Sequence, residues 1–321
     1  MGFNVLIPNP IDPIGVELLE AAGATIIVPP NDEVETLLTF IPNIDAILAR
    51  TEKYPKSIFQ KAHRLKIIAR HGIGVDNIDL DAATEHGVVV TNTPQANIHS
   101  VAELVIALML AASRKLVAID REVRKGNFQI RNKLFGSELR GKTLGVIGFG
   151  NIGRLVAEKC HAAFQMRISV YDPYTTKETV APYVELKETL ETLLNTSDIV
   201  TLHVPYVKET HHIINRETLK AMKQNGILIN AARGGVVDEL ALYDALKKNE
   251  LKGACLDVFE VEPPSKDHPL FSLDNVIVTP HLGAQTDEAY TLLAKMAAEE
   301  IIAVMNNRPP HFPVNYVKAH L

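Results

Sequence analysis

Leu144-Gly145-Val146-Ile147-Gly148-Phe149-Gly150-Asn151-Ile152-Gly153, with Asp172 nineteen residues beyond Gly153 in Ser169-Val170-Tyr171-Asp172-Pro173, decides how this chain is read. An apolar strand runs into Gly-x-Gly-x-x-Gly, a helix opens, and a second apolar strand ends in an acid. Each part has a physical task. Gly148 permits a tight turn, Gly150 lets backbone approach a pyrophosphate, and Gly153 lets helix pack on strand. The positive helix end faces the phosphates, with Asn151 and Ile152 in its first turn. Asp172 is placed to accept from ribose hydroxyls. The combination predicts a dinucleotide-binding βαβ unit.

The same alternation extends in both directions. Strand candidates before the motif are Asn4–Pro8, Thr25–Val28, Ala46–Ala49, Ile67–Ala69 and Val88–Val90, with helical patterns such as Gly15–Ala22 and Glu33–Phe40 between them. From about Ser100 a long helix carries the chain away, with Val101, Leu104, Val105 and Leu108 on one face. A polar stretch, Arg114 to Arg140, follows. A second series then begins: Thr143–Ile147, Ile168–Tyr171, Ile199–Leu202, Ile227–Asn230, Ala254–Leu256 and Val276–Val278. A last helix is expected over Thr286 to Met305. Short apolar strands alternating with helices predict parallel sheets covered on both faces. The expected class is α/β with two doubly wound parallel-sheet domains. A Rossmann domain, residues 98–286, is inserted into a flavodoxin-like substrate domain built from 1–97 and 287–321. Such a chain crosses twice between domains, which suits a hinge over a cleft.

The totals exclude several classes. At 321 residues the chain has room for two domains, and its formal net charge of −5 offers no basic stripe for nucleic acid or an anionic membrane. Two cysteines, Cys160 and Cys255, cannot form a disulfide framework, and their apolar surroundings predict buried thiols. The longest apolar run, Val101 to Ala112, is too short to span a bilayer and contains Glu103. The amino-terminal run reads as a first strand, not a signal peptide. A cytoplasmic protein is expected, with no domain after Leu321.

Ligands of open α/β sheets bind beyond the carboxyl ends of strands, so the turns there hold the candidates. Arg233 lies in Asn230-Ala231-Ala232-Arg233-Gly234-Gly235, after the fourth strand of the second series. Asp257, Glu260 and Glu262 follow the fifth, and His281 lies in Thr279-Pro280-His281-Leu282-Gly283 after the sixth. Hydride transfer to or from an alcohol also moves a proton, and histidine titrates nearest neutral pH. A neighbouring carboxylate, Glu262 being best placed, would stabilise the imidazolium. Arginine offers a planar fork for a substrate carboxylate. Asp257 fits equally as a turn cap or as an acceptor for a nicotinamide amide. His211-His212 lack companion acids or cysteines and read as a solvated loop, with no metal site. In the first domain, Arg70-His71-Gly72-Ile73-Gly74 follows the fourth strand, and its glycines are expected to leave N–H groups free for an anion.

Taken together these stretches resemble the D-isomer-specific 2-hydroxyacid dehydrogenases over nearly the whole length. The matching segments are 72–79, Asn92-Thr93-Pro94, 100–104, 148–153, 232–239, Leu256-Asp257-Val258-Phe259 with Glu262-Pro263, and 280–284. The resemblance implies NAD as cofactor, a small 2-hydroxy or 2-oxo acid as substrate, and a homodimer built largely through the cofactor domains. Arg114 to Arg140 would then belong to the dimer interface. It also implies a catalytic trio of Arg233, Glu262 and His281. Further cofactor contacts are implied at Ile73, Val204, Ala231, Ala232, Asp257 and Gly283, beside Asn151, Ile152 and Asp172. Gly72, Ile73 and Gly74 would hold the substrate carboxylate. Members acting on a phosphorylated hydroxy acid look nearest, and Arg50 and Arg70, with Arg131 and Lys133, would supply a phosphate pocket. Glu52 would oppose that if it faced the pocket. Two other classes remain: a formate-type dehydrogenase, which has no hydroxyl proton to move, and an NAD-dependent corepressor-like binding protein.

Overall fold

The apolar runs become strands, and every pairing between them is parallel. The computed structural model describes residues 2–317. Met1 and 318–321, the outermost residues of the expected substrate domain, lie outside the described residues. Two compact units result: the residues up to Asn97 with those from Ala284 on, and Ile98–Gly283.

The first unit holds β1 (Phe3–Leu6), β2 (Ala24–Ile27), β3 (Ala46–Ala49), β4 (Ile67–Arg70) and β5 (Val89–Thr91), ordered β2-β1-β3-β4-β5. That is the flavodoxin-like order, with its switch point between β1 and β3. All four residues of β3 are buried, as a strand covered by helices on both faces requires. On one face Leu6, Ile47, Ile68 and Phe59 pack together. On the other, Val5, Leu48 and Ile67 meet Ala294, Ala297 and Ile301 of the last helix, Asp287–Met305. The alanines let that helix lie close against the sheet.

The second unit holds β6 (Thr143–Ile147), β7 (Arg167–Tyr171), β8 (Val184–Leu186), β9 (Ile199–Leu202), β10 (Ile227–Asn230), β11 (Gly253–Leu256) and β12 (Val276–Val278). Their order is β12-β11-β10-β9-β6-β7-β8. Counted from β6 this is the dinucleotide-binding order 3-2-1-4-5-6 with one strand added beyond the sixth position. The sequence reading expected six strands, and β8 corrects it. This edge strand has only three residues, with Glu185 exposed between two half-buried ones, too little apolar content to announce itself. One face packs Leu202, Leu228, Leu242 and Leu256. The other packs Val146, Val156 and Ile229 against Val105, Leu108 and Met109 of the long helix Ile98–Arg114.

The stretch from Arg114 to Arg140 is more ordered than its polarity predicts. It contains a helix, Leu116–Arg124, and a 3-10 turn, Phe128–Asn132. The helix is amphipathic yet buries none of its residues, and its charged residues Asp120, Arg121, Glu122 and Arg124 make the stretch read as polar. Both cysteines are buried, and burial pushes their thiols up to about 12, so neither is a nucleophile at neutral pH. Among the described residues no helix is long and apolar enough to cross a membrane.

Candidate active site

The glycine loop follows β6, beside β9, where the strand order of the second unit reverses. Gly148 adopts φ +88°, and a Cβ there would lie 2.6 Å from His203 O and 2.9 Å from Val204 Cγ1. At Gly153 a Cβ would collide with Gly148 O, so only glycine lets the helix Asn151–Phe164 start against the strand. At Gly150 the same atom would meet nothing within 4 Å. That open space lies over a helix N-terminus with no side-chain cap, where the first N–H groups, Asn151 and Ile152 included, lack intrahelical partners. The cradle therefore fits a dinucleotide pyrophosphate.

Asp172, at the end of β7, lies beyond the loop. Its Oδ2 accepts from Phe149 N at 2.6 Å and its Oδ1 from Tyr174 N at 2.8 Å. These bonds orient the carboxylate and leave each oxygen a lone pair. Asp172 lines a cavity of about 330 Å³ with Tyr171, Pro173, Thr175, Lys177 and Lys187, a fit for an adenosine ribose.

The neighbouring strand ends hold the chemistry. Arg233 follows β10, Glu262 follows β11, and His281 follows β12, so three adjacent strands deliver them to one edge. His281 Nδ1 meets Glu262 Oε2 at 2.7 Å, and Glu262 Oε1 accepts from Phe259 N at 3.0 Å. Burial raises the cost of ionising Glu262. The hydrogen bonds from His281 and Phe259, with the charges of His281 and Arg233, outweigh it and hold the carboxyl below its ordinary value. With Nδ1 on the carboxylate, His281 Nε2 is the ring nitrogen left for chemistry, on a side chain half exposed. Arg233 Nη1 donates to Ala232 O at 2.7 Å, and Asn230 Nδ2 donates to Arg233 O at 2.8 Å. Ala232 N donates to Asn230 Oδ1 at 3.1 Å, so Asn230 shapes the Ala231-Ala232-Arg233 turn. A Cβ at Gly234 would collide with the Phe259 carbonyl, which shows how closely the Arg233 and Glu262 loops cross.

Asp257 is the residue whose part the sequence leaves open. Its buried carboxylate accepts from Thr279 Oγ1 at 2.6 Å, Leu282 N at 2.9 Å and Gly283 N at 2.9 Å. Its backbone oxygen accepts from His281 N at 2.7 Å. Asp257 thus builds the turn that presents His281, whose φ of +52° is unusual for a non-glycine residue. Gly283 gives its N–H to that carboxylate.

Other candidates sort themselves by contact. Glu260, two residues from Glu262, turns to His212 Nε2 at 3.1 Å and to Glu239 N at 3.0 Å. Glu239 answers by accepting from Glu260 N at 2.9 Å and by meeting His268 Nε2 at 2.9 Å. His211-His212 are therefore not simply a solvated loop: the rings stack 3.9 Å apart and His212 is paired. Among the described residues no group of three or more His, Cys, Asp or Glu could hold a metal ion.

In the first unit, the loop after β4 departs from expectation at Gly72. Its φ is +152°, and its N–H is engaged by Thr93 Oγ1 at 3.0 Å and Arg70 O at 2.9 Å. The N–H groups of Ile73 and Gly74 carry no such bond among the described residues. Arg50 lies over the Tyr290 ring, 5.6 Å from its centroid, and Nη1 donates to Pro10 O at 2.7 Å. Arg70 Nη1 donates to His71 O. His71 is buried beside Tyr290, and burial, then the Arg50 and Arg70 charges, lower it to about 4. Glu52 is buried and accepts from Asn9 Nδ2, Arg50 N and Tyr54 OH. Arg131, in the second unit, stacks on Phe128, and Lys133 is exposed nearby.

Comparison with known proteins agrees with this geometry. Residues 106–283 match the family model described as D-isomer specific 2-hydroxyacid dehydrogenase, NAD binding domain. The D-3-phosphoglycerate dehydrogenase of Archaeoglobus fulgidus is 44% identical over 314 residues, 98% of this chain and 59% of that protein. The chain thus spans 59% of the length of that relative. The hydroxypyruvate reductase of Thermotoga maritima is 43% identical over 304 residues, 93% of this chain and 97% of that protein. The solved D-lactate dehydrogenase from Aquifex aeolicus, complexed with NAD and lactic acid, superposes with a TM-score of 0.85 at 32% identity, covering 95% of this chain and 96% of that one. The cradle, the three strand ends and these matches lead to one conclusion: the chain belongs to the D-isomer specific 2-hydroxyacid dehydrogenase family and carries its NAD-binding domain.

Proposed function

We propose that the protein interconverts a D-2-hydroxy acid and its 2-oxo acid as an NAD-dependent oxidoreductase. The 2.7 Å contact between His281 Nδ1 and Glu262 Oε2, beside Arg233 on the next loop, carries the reading. Asn151, Ile152, Asp172, Val204, Ala231, Ala232 and Gly283 would hold a nicotinamide dinucleotide with the glycine cradle, and that group would supply or accept the hydride. Moving the proton falls to the protein. In reduction, protonated His281 gives the Nε2 proton to the carbonyl oxygen, while Glu262 stabilises the imidazolium and fixes the ring. In oxidation, neutral His281 takes the hydroxyl proton. Arg233 pairs with the substrate carboxylate, and within the first unit the Ile73 and Gly74 amides, which carry no bond among the described residues, offer donors to an anion. The acid–base pair argues against a formate-type reaction, which moves no hydroxyl proton, and the intact trio argues against a purely binding role.

Within this class we favour a phosphorylated hydroxy acid such as 3-phosphoglycerate. Arg50 and Arg70 would take the phosphate, while the Glu52 carboxylate is held by Asn9 Nδ2, Arg50 N and Tyr54 OH. A second reading, reduction of hydroxypyruvate or glyoxylate, is favoured by the near-complete match in length to the Thermotoga maritima reductase. A 2-ketogluconate reductase is a third member of the same class. We also read the protein as a cytoplasmic homodimer. Leu116, Val117, Val123, Phe128 and Phe135 are all exposed within one segment of the second unit, the side chains a second copy would cover.

His281→Ala is expected to lower kcat by about 10²–10⁴-fold while NADH still binds in a fluorescence titration; near-normal turnover would reject the role. Oxidation of NADH with 3-phosphohydroxypyruvate, hydroxypyruvate, glyoxylate and 2-ketogluconate should be fastest with the first and faster than with NADPH, whose 2′-phosphate would meet Asp172. No turnover of any of the four would end the enzyme reading, and a preference for hydroxypyruvate would select the second one. Glu262→Gln removes the charge that favours the protonated ring. The reduction rate should then begin to fall at lower pH, and the oxidation rate to rise at lower pH; an unmoved pH profile would dissolve the pairing. Light scattering should give a dimer mass that drops toward the monomer in Phe128→Ser/Phe135→Ser; a wild-type monomer would refute the assembly.

A further inference from the structure

Parallel strands bring all their amino ends to one edge of the second sheet, opposite the edge that carries the proposed chemistry. Lys142 precedes β6, Asp198 precedes β9, Asn225 comes just before β10, and Lys252 precedes β11. With Ser113, near the end of the helix Ile98–Arg114, and Ser137 they line a cavity of about 210 Å³. Apart from Ser137, which lies in the stretch expected at a dimer interface, the sequence singles out none of these residues, and the proposed reaction does not use them.

Three features of this cavity suit an anion. Ser113 is 1% exposed, yet among the described residues its Oγ has no hydrogen-bond partner. A buried hydroxyl without a partner costs stability, and a ligand oxygen would supply one. Lys142 and Lys252 form no ion pair among the described residues, and Lys252 Nζ donates only to Ser137 Oγ, at 3.2 Å. Burial, then the charges of Lys115 and Lys142, lower Lys252 from its ordinary value. The single carboxylate in the lining, Asp198, is already matched. Its Oδ1 meets Lys223 Nζ at 2.9 Å and its Oδ2 accepts from Thr143 N at 2.8 Å.

We propose that this cavity is a second anion site that binds a phosphate group, with Lys142 and Lys252 supplying charge and Ser113, Ser137 and Asn225 supplying donors. Ammonium groups from two strands and hydroxyls from two further segments suit a tetrahedral oxyanion with several acceptor oxygens. Inorganic phosphate and a phosphate monoester share that chemistry. Bound there, either would tie the end of the long helix to the starts of β6, β10 and β11, so occupancy would stabilise the second unit.

Thermal unfolding of the whole protein with saturating NADH tests this, because NADH fills the glycine cradle. Phosphate and, in a second arm, glycerol 3-phosphate are titrated against chloride at matched ionic strength. In wild type, one or both anions should raise Tm saturably by about 2–4 °C. Which anion acts at the lower concentration identifies the source. Ser113→Val and Lys252→Met should each remove most of that rise, each judged against its own chloride baseline, so altered basal stability does not hide the result. NADH oxidation without phosphate should be unchanged in both. The site is rejected if neither anion shifts wild type beyond chloride, or if both variants keep the full shift.

Discussion

The carboxylate of Asp257 holds the chemical edge of the second unit together. It sits where β11 ends and gathers Thr279, Leu282 and Gly283, while its backbone oxygen takes His281 N. A hydrogen bond to a charged group contributes about 1.5–3 kcal/mol. The left-handed backbone at His281 costs about 1–2 kcal/mol. Three bonds to one buried carboxylate therefore outweigh the strain they impose. The turn is rigid because the alternative is a buried charge without partners, which costs more than either.

The His281–Glu262 pair obeys a different balance. Their side chains are 51% and 37% exposed, so water screens the attraction. An exposed pair of this kind adds about 0–1 kcal/mol to stability. What it adds to chemistry is orientation: it assigns Nδ1 to the carboxylate and leaves Nε2 to work. The same edge shows how a nearby acid is kept out of the way. Glu260 and Glu239 exchange backbone and side-chain hydrogen bonds, and each holds a histidine. That brace holds the loop carrying Glu262 while removing Glu260 from competition for His281.

Local patterns made some features legible and hid others. Gly148, Gly150, Gly153 and Asp172 are readable because turn, helix start and second strand lie within about thirty residues, so spacing alone constrains their geometry. The buried strands are readable because sheets covered on both faces demand unbroken apolar runs. β8 escaped because an edge strand needs only a few apolar atoms. The helix Leu116–Arg124 escaped because Asp120, Arg121, Glu122 and Arg124 make its segment read as polar. The free amide expected at Gly72 is engaged because Thr93, twenty-one residues away, brings a hydroxyl to it.

By itself the sequence determined two parallel sheets, a dinucleotide cradle, and an arginine, several acids and a histidine at strand ends. These follow from short-range rules: side-chain periodicity, glycine sterics and the length of a βαβ unit. Only the tertiary structure decided that Asp257 serves the turn itself and that Glu52 points into the fold, and only it shows the contact between His281 and Glu262, the acid the sequence singled out. Glu260 and Glu262 differ by two residues, and local spacing does not show what engages each. The choice is made by partners distant in the chain, His281 for one and Glu239 and His212 for the other, which only chain folding brings within hydrogen-bond reach.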